Sequence, residues 1–360
     1  MSILVLNKGL QTTVQDLGRT GYAHFGINRA GAMDPLALQV GNFLVGNPGG
    51  TVALEMCFPA PTLLFLAPAL IALSGADFGA QIEGQNLPFH TPIWVDAGME
   101  LHFRYKQAGQ YAYLSIQGGL DIPPWLNSRS TNLKAQWGGW QGRALLKGDV
   151  LPLAKSWPER IGRGLTIAKY HTLLREFYAP ETPIRFVPGQ HYPQLLPESR
   201  KALHAQAWRI SNASDRMGYR LEGEGLTLSS NESLLSAGLT RGSIQLPPAG
   251  QPIVLMADHQ TTGGYPLLGQ VIQADWARLA QLGPGRSFYL QAVELAEAVS
   301  LYAEQGMFLR RLRAGCALGR LDRANTESKQ RGIVFQIIFW VPARPFLGRG
   351  GQRPGARFPF

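Results

Sequence analysis

Between Met1 and about Ala154, short runs of β-forming residues are cut off every few positions by glycine, proline or asparagine, and this punctuation restricts the fold more than any other feature. β-Branched and aromatic side chains favour extended backbone, and Gly, Pro and Asn close it into tight turns. The runs Ile3 to Leu6, Val52 to Met56, Thr62 to Leu66, Leu70 to Ser74, Ile93 to Val95, Leu101 to Tyr105 and Tyr111 to Gln117 read as strands. Composition agrees: Gly supplies 42 of 360 residues, well above the usual ~7%, and charged residues make up 16%, below the usual ~25%. Disorder and coiled coil are excluded for the body of the chain, and the expected class is mainly β with a few helices.

One helix interrupts the first half. Asp34 suits an N-cap, Pro35 the first helical position, and Leu36, Ala37, Val40, Phe43 and Leu44 form an apolar stripe that stops at Gly46-Asn47-Pro48. Periodicity is lost between Lys155 and about Pro183. At about 150 residues per domain, the length fits two lobes joined there, with expected boundaries of 1–154, a linker 155–183, and 184–314. Strands resume at Ile184 to Val187, Ala207 to Ile210, Gly218 to Leu221 and Ile253 to Ala257. A helix capped by Asp275 runs to Leu282, and a longer one spans Glu294 to Arg313. Residues 315–360 read as a basic, disordered tail carrying an isolated apolar run, Ile333 to Val341. An RGG-like RNA-binding tail is the alternative there.

The formal charge of +10 would suit a polyanion partner if it were spread over the body. It is not: from Arg310 onward there are eleven Lys or Arg against Asp322 and Glu327, so the rest is close to neutral and gives no argument for nucleic acid. Cys57 and Cys316 form no disulfide framework or C-x-x-C motif. The first apolar run is too short for a signal peptide, and Leu63 to Leu73 falls far short of the ~18 residues that span a bilayer. A cytoplasmic protein without a membrane partner is expected.

No P-loop, Rossmann glycine motif, H-E-x-x-H or G-x-S-x-G is present, and the histidines show no metal spacing, so no metal site is expected. Four dense polar and glycine segments remain. Gly9 to Arg19 reads as a polar edge strand and turn, and Gly31 to Asp34 as the approach to a helix cap. The stretch from Gly118 to Arg143 joins two glycine pairs to Ser128 and Arg129, which suits an anion-holding loop or a plain surface loop. In Ser214 to Gly223, strand alternation puts Met217, Tyr219 and Leu221 on one face and Arg216, Gly218, Arg220 and Glu222 on the other. Two arginines on one face can fork a carboxylate or phosphate; the alternative is a solvated face with an Arg220–Glu222 pair. Downstream, the strand Ile253 to Ala257 leads into Asp258-His259-Gln260-Thr261-Thr262-Gly263-Gly264-Tyr265-Pro266, whose hydrogen-bonding groups must build a turn or face a ligand.

Taken in order, Thr12 to Arg19, Gly31 to Asp34, Leu44 to Asn47, Ala53 to Glu55, Ser74 to Ala76, Gly118 to Pro123, Asp215 to Leu221, Gln251 to Leu255 and Gln260 to Pro266 resemble one family. It is that of the C subunit of the bacterial ATP-dependent 5-oxoprolinase, also known as KipA, as the second allophanate hydrolase subunit and as the biotin-dependent carboxyltransferase family. The resemblance covers about residues 3 to 313 and stops at the tail. It implies two related cyclophilin-like β-barrel lobes. It also implies a complex with a KipI-like B subunit and an A subunit of the lactam-utilisation type, hydrolysing 5-oxoproline to glutamate with ATP.

The resemblance further implies that this chain is inactive alone, that ATP acts at the level of the complex, and that no biotin is attached here. Placed on the matching segments, Asp258, Arg216 and Tyr219 become catalytic candidates, with Asp258 as base or orienting carboxylate. Arg220, Gln245, Gln260, Thr261, Thr262, Gly263, Gly264, Tyr265, Ser128 and Arg129 become substrate-binding candidates. Two alternatives stand beside this reading: the carboxyltransferase part of a urea-carboxylase-like enzyme, and a regulator binding a histidine-kinase inhibitor. The sequence lacks the Ala-Met-Lys-Met segment that accepts biotin.

Overall fold

A computed structural model of the chain describes residues 1–155, 166–167, 178, 182–230 and 234–326. Most of the expected linker and the run Ile333 to Val341 lie outside the described residues. The amino-terminal lobe holds two six-stranded antiparallel sheets. One runs, in spatial order, Val150–Pro152, Ser2–Asn7, Thr62–Phe65, Glu100–Phe103, Ala80–Ile82, Gln85–Asn86; the other runs Thr166–Ile167, Pro92–Val95, Ala69–Asp77, Ala108–Ile116, Ala53–Cys57, Gln11–Gln15. Ile3, Val5, Leu63 and Phe65 from the first sheet pack on Leu54, Met56, Ile71, Leu73 and Leu114 from the second. Each side chain buried this fully stabilises the lobe by about 1.5–3 kcal/mol.

The second sheet is covered on both faces. Leu54 and Met56 enter the core of their own lobe, whereas Ala53 and Cys57, one pleat away, join a cluster with Trp208, Ile210, Phe186 and Tyr219 of the carboxy-terminal lobe. All five residues of Ala53–Cys57 are therefore buried, and Glu55, which shares the face of Ala53 and Cys57, is held at the seam between the lobes.

Helix α1 (Pro35–Val45) lies on this same sheet. Asp34 caps it, its Oδ1 accepting the Ala37 N–H at 2.9 Å, and Gly46 ends it with φ +86°. The expected stripe is only part of what is buried, because α1 also meets α3 (Trp276–Leu282) and α4 (Leu295–Thr326) through Val40, Phe43, Ala277 and Leu312. A Cβ at Gly41 would stand 2.7 Å from the hydroxyls of Ser74 and Ser115, so glycine is what lets the helix approach the strands.

The carboxy-terminal lobe is one eight-stranded sheet in the order Ser287–Phe288, Trp208–Ile210, Gly218–Glu222, Ile253–Leu255, Ser243–Gln245, Leu267–Val271, Ile184–Pro188, Leu290–Ala292. Its first and last strands are separated in the chain by Tyr289 alone, so the sheet curls into a nearly closed barrel. The mainly-β expectation holds; one helix goes unforeseen and two local expectations fail. Helix α2 (Pro197–Ala205) escapes the apolar period because it buries only Ser199 and Leu203. Asp275 precedes α3 without capping it, since its carboxylate accepts from Arg185 and Arg278 instead. The long helix expected to stop at Arg313 continues to Thr326 as α4, and Cys316 is buried against the α1 cluster, so a lobe boundary at 314 falls inside a helix.

Candidate functional site

Three buried charges meet at the seam. Arg216 donates from Nε to Asp258 Oδ2 at 2.9 Å, from Nη2 to Asp258 Oδ1 at 3.2 Å and to the Gly31 carbonyl at 2.6 Å, and from Nη1 to Glu55. Register explains the rest of the knot: Glu55 and Tyr113 are directly opposed on neighbouring strands, so the Tyr113 hydroxyl reaches Glu55 Oε2 at 2.7 Å, beside the Met33 N–H at 2.7 Å. Burial works against the charge on Arg216, but the Asp258 and Glu55 carboxylates outweigh it and hold the guanidinium above its ordinary value. All three residues are at most 5% exposed, so removing one would strand an uncompensated charge in the interior.

The knot continues into α1. Tyr113 Oη accepts the Asp34 N–H at 2.7 Å, and Asp34 Oδ2 accepts from Tyr178 Oη at 2.6 Å and from Gln281 Nε2 at 2.8 Å. Arg241 adds a second carboxy-terminal cation, donating to the carbonyls of Ala32 and Met33 with its guanidinium 4.7 Å from the Trp276 ring centre. Burial brings the Arg241 pKa down to about 10.

A second polar centre lies in the amino-terminal lobe. Asp16 Oδ1 accepts from Gly18 N and Ser128 Oγ at 2.7 Å and from Ser130 Oγ at 2.5 Å, and Oδ2 accepts the Arg129 N–H at 2.6 Å. The 118–143 loop thus closes on an anion, but on the chain's own Asp16. Beside it Arg19 is 2% exposed, donates from Nη2 to the Ser130 carbonyl at 2.6 Å and stacks 4.9 Å from the Trp125 ring centre. Among the described residues its Nε and Nη1 have no hydrogen-bond partner. Burial pushes this guanidinium below its ordinary value, against the pull of Asp16 and Asp258.

The two centres are linked. Asn132 donates to Asn28 Oδ1 at 2.9 Å, and Asn28 Nδ2 donates to the carbonyls of Asp258 and His259 at 2.9 and 3.1 Å. From there the chain turns outward. Thr262–Gly263 pairs with Ala237–Gly238 in a two-stranded ribbon, and Gly263 and Tyr265 line a cleft of about 270 Å³ with His191, Ala237 and Leu267. His191 Nδ1 accepts the Leu267 N–H at 2.9 Å, and its Nε2 lies 3.3 Å from Gln190 Nε2. Gln245, 2% exposed, has no partner for Nε2 among the described residues, and a Cβ on Gly263 would come within 2.9 Å of that nitrogen.

These placements correct several sequence expectations. Arg216 and Arg220 do not share a face. Asp215 Oδ1 accepts from Met217 N at 2.7 Å and Gly218 N at 3.3 Å, an Asx turn that delays the strand to Gly218 and turns Arg216 inward, while Arg220 is exposed. The alternative Arg220–Glu222 pair is replaced by Arg209–Glu222 at 3.4 Å. Tyr219 is a core residue whose hydroxyl donates to the Ala280 carbonyl at 3.2 Å. Ser128 is committed to Asp16, and Arg129 Nε to the Ile122 carbonyl at 2.6 Å. Both Asp258 oxygens accept from Arg216.

Gln245 and Gly263 lie together, with the exposed Gln260, Thr262, Gly264 and Tyr265 and the half-buried Thr261 on the same turn. Sequence reading passed over Glu55, Tyr113, Arg241, Asp16 and Arg19 as site residues. Two signals were available: Glu55 sits inside an otherwise apolar strand, where a carboxylate needs a partner, and Asp16 and Arg19 lie in the dense polar segment Gly9 to Arg19.

Residues 25–292 match the carboxyltransferase domain, subdomain A and B. Over 313 residues the chain is 37% identical to the 5-oxoprolinase C subunit of Haemophilus influenzae, an alignment that covers 86% of this chain and 97% of that protein. It is 30% identical over 329 residues to urea amidolyase of Saccharomyces cerevisiae, covering 87% of this chain and 18% of that one. Its fold is similar to the crystal structure of Kluyveromyces lactis urea carboxylase, with a TM-score of 0.78 and 27% identity, over 88% of this chain and 29% of that one.

Proposed function

The chain belongs to the carboxyltransferase domain family, subdomain A and B, and from that membership we propose that it is the C subunit of an ATP-dependent 5-oxoprolinase that hydrolyses 5-oxoproline to glutamate. One observation carries the reading. The 37% identity extends over 97% of a 5-oxoprolinase C subunit, whereas the urea amidolyase match takes in 18% of that protein. The proposed assembly pairs this chain with a KipI-like B subunit and a lactam-utilisation-type A subunit in the cytoplasm, and the chain alone is inactive. The two β lobes are taken as cyclophilin-like, joined by the 155–183 segment.

Opening an unstrained lactam in water is slow. Phosphorylation of the amide oxygen by ATP, with release of ADP, activates the ring carbon; water adds to it, the ring C–N bond breaks as the nitrogen takes up a proton, and a second water hydrolyses the resulting acyl phosphate to the carboxylate and free phosphate. In this scheme Asp258, fixed by Arg216, orients the 259–265 turn. That turn, with Gln245 behind Gly263, supplies neutral donors to a lactam carbonyl in the adjacent cleft. The test is reconstitution of the three proteins with 5-oxoproline and ATP, measuring glutamate. Omission of this chain is expected to abolish glutamate formation, and full activity without it would overturn the reading.

The carboxyltransferase reading keeps a place because the fold similarity to urea carboxylase spans nearly the whole described chain. Carboxylation of urea from a carboxybiotin carrier, with no glutamate formed, would favour it.

A further inference from the structure

Among the described residues, Arg19, Arg216, Arg241 and Arg278 are buried. Arg216 meets two carboxylates, Arg278 pairs with Asp275 and donates to the carbonyls of Thr182 and Pro183, and Arg241 donates to two carbonyls. Arg19 is satisfied least: one nitrogen reaches the Ser130 carbonyl, while Nε–H and both Nη1–H bonds meet no acceptor. Neighbouring carboxylates cannot supply one. Asp16 already accepts from four donors and Asp258 from Arg216. A buried guanidinium with unused donors is a strong acceptor-seeking group, and carboxylate and phosphoryl oxygens match it best.

We propose that Arg19 is an anion-binding residue, taking a carboxylate or phosphoryl group under the 118–143 loop, at the end of the seam tied to the Asp258 turn. The loop over it holds a strained backbone. Leu126, Asn127, Gln136 and Gln141 hold φ values of +49° to +60°, a left-handed backbone that costs energy in residues with a Cβ and clusters where a segment serves a ligand. Gly138 packs directly on the guanidinium; a Cβ there would stand 2.9 Å from Arg19 Nη2. An anion that reaches the guanidinium accepts from Nε and Nη1, the two nitrogens the chain leaves without a partner among the described residues, while Nη2 keeps the Ser130 carbonyl. The Asn132–Asn28–Asp258 links place this group beside the turn that leads to the 270 Å³ cleft.

The site itself does not rest on the 5-oxoprolinase reading; only the identity of its anion does. Under that reading the anion is the carboxylate of 5-oxoproline, with an ATP phosphoryl group as the other source. The test is binding to the full chain, by calorimetry, of 5-oxoproline, of inorganic phosphate, and of 2-pyrrolidinone, the same lactam without a carboxylate. The wild type is expected to bind 5-oxoproline and not 2-pyrrolidinone, and Arg19→Gln to bind it at least tenfold more weakly. Its melting temperature should be unchanged or raised, because an unsatisfied buried charge is removed. Phosphate binding that depends on Arg19, without 5-oxoproline binding, supports the site and identifies a phosphoryl ligand. Equal binding by wild type and Arg19→Gln, or no anion binding by the wild type, overturns the proposal. Should Arg19→Gln fail to fold, amide exchange in the wild type decides: slower exchange at Gly138 to Gly142 with anion supports it, and unchanged exchange overturns it.

Discussion

Arg216 and Arg19 are both shielded from solvent, one at the seam between the lobes and the other in the amino-terminal lobe, yet their surroundings differ in kind. Around Arg216 every charge has an opposite charge within hydrogen-bonding reach, and the partners come from both lobes. Around Arg19 the carboxylate is fully satisfied while the guanidinium is not. A closed network of this type fixes how two surfaces dock, because any other arrangement leaves a buried charge bare. An open one keeps donors in reserve for something outside the chain. The difference separates a structural lock from a recognition group without reference to any relative.

The largest effect tests the lock. Arg216→Met keeps much of the volume but leaves Glu55 and Asp258 buried without their cation, and should cost about 3–5 kcal/mol of unfolding free energy. Denaturant titration reads it directly. A cost below about 1 kcal/mol would mean that water reaches the seam and that the pair contributes little. The corresponding change in the other centre is smaller. Asp16→Ala leaves the Ser128 and Ser130 hydroxyls and two backbone N–H groups without their acceptor, for about 1–3 kcal/mol. Amide exchange should rise over Ser128 to Asn132 while the Arg216 knot stays protected. Loss of protection in both centres together would show that they form a single network.

Much of the architecture was legible. Runs of β-forming residues cut by Gly, Pro and Asn located the strands that enclose the amino-terminal core, and Asp34-Pro35 fixed the start of α1, because both signals depend on residues a few positions apart. The site was not legible for the opposite reason. Arg216 and Glu55 are 161 positions apart, and Gln281 and Asp34 are 247 apart, so nothing local connects them. Even the local rule failed at Arg216. An Asx turn from Asp215 competes with the strand for the same backbone, and alternation holds only once the strand has begun. Thr12 to Gln15 misled in another way: the edge-strand reading was right, but the polar side chains are buried, because the 128–132 segment covers that edge and bonds to it.

A further difference between the two centres shows in acid. His259 follows Asp258, donates from Nδ1 to the Gln260 carbonyl at 2.6 Å, and is pushed by burial below the ordinary imidazole value. A depressed folded pKa means that the unfolded chain binds the proton more readily. The stabilisation is therefore complete above the ordinary value of about 6.5 and is lost as pH falls through it. Unfolding free energy measured from pH 7.5 to 5 should decline, and His259→Gln should flatten the decline without altering the plateau. An unchanged slope would assign the acid sensitivity to other groups.

The smallest expected effect is the most pointed, because it concerns the arginine that strand alternation would have paired with Arg216. Arg220 lies in the strand Gly218–Glu222 with its side chain exposed and no hydrogen-bonded carboxylate, while its backbone N–H donates to Ser214 Oγ at 3.0 Å. Arg220→Ala keeps that backbone contact and removes only a solvated side chain, so stability should change by no more than about 0.5 kcal/mol. In the reconstituted complex its kinetics for 5-oxoproline should match the wild type, in contrast to Arg19→Gln, whose KM for 5-oxoproline should rise. If Arg220→Ala instead raised that KM with folding intact, the carboxylate would have to be read from the outer face of the strand, and the contrast between a closed seam and an open anion site would lose its second half. If it weakened association with the other proteins of the complex and left KM unchanged, Arg220 would mark a docking surface, and the contrast would stand with a third region added to it.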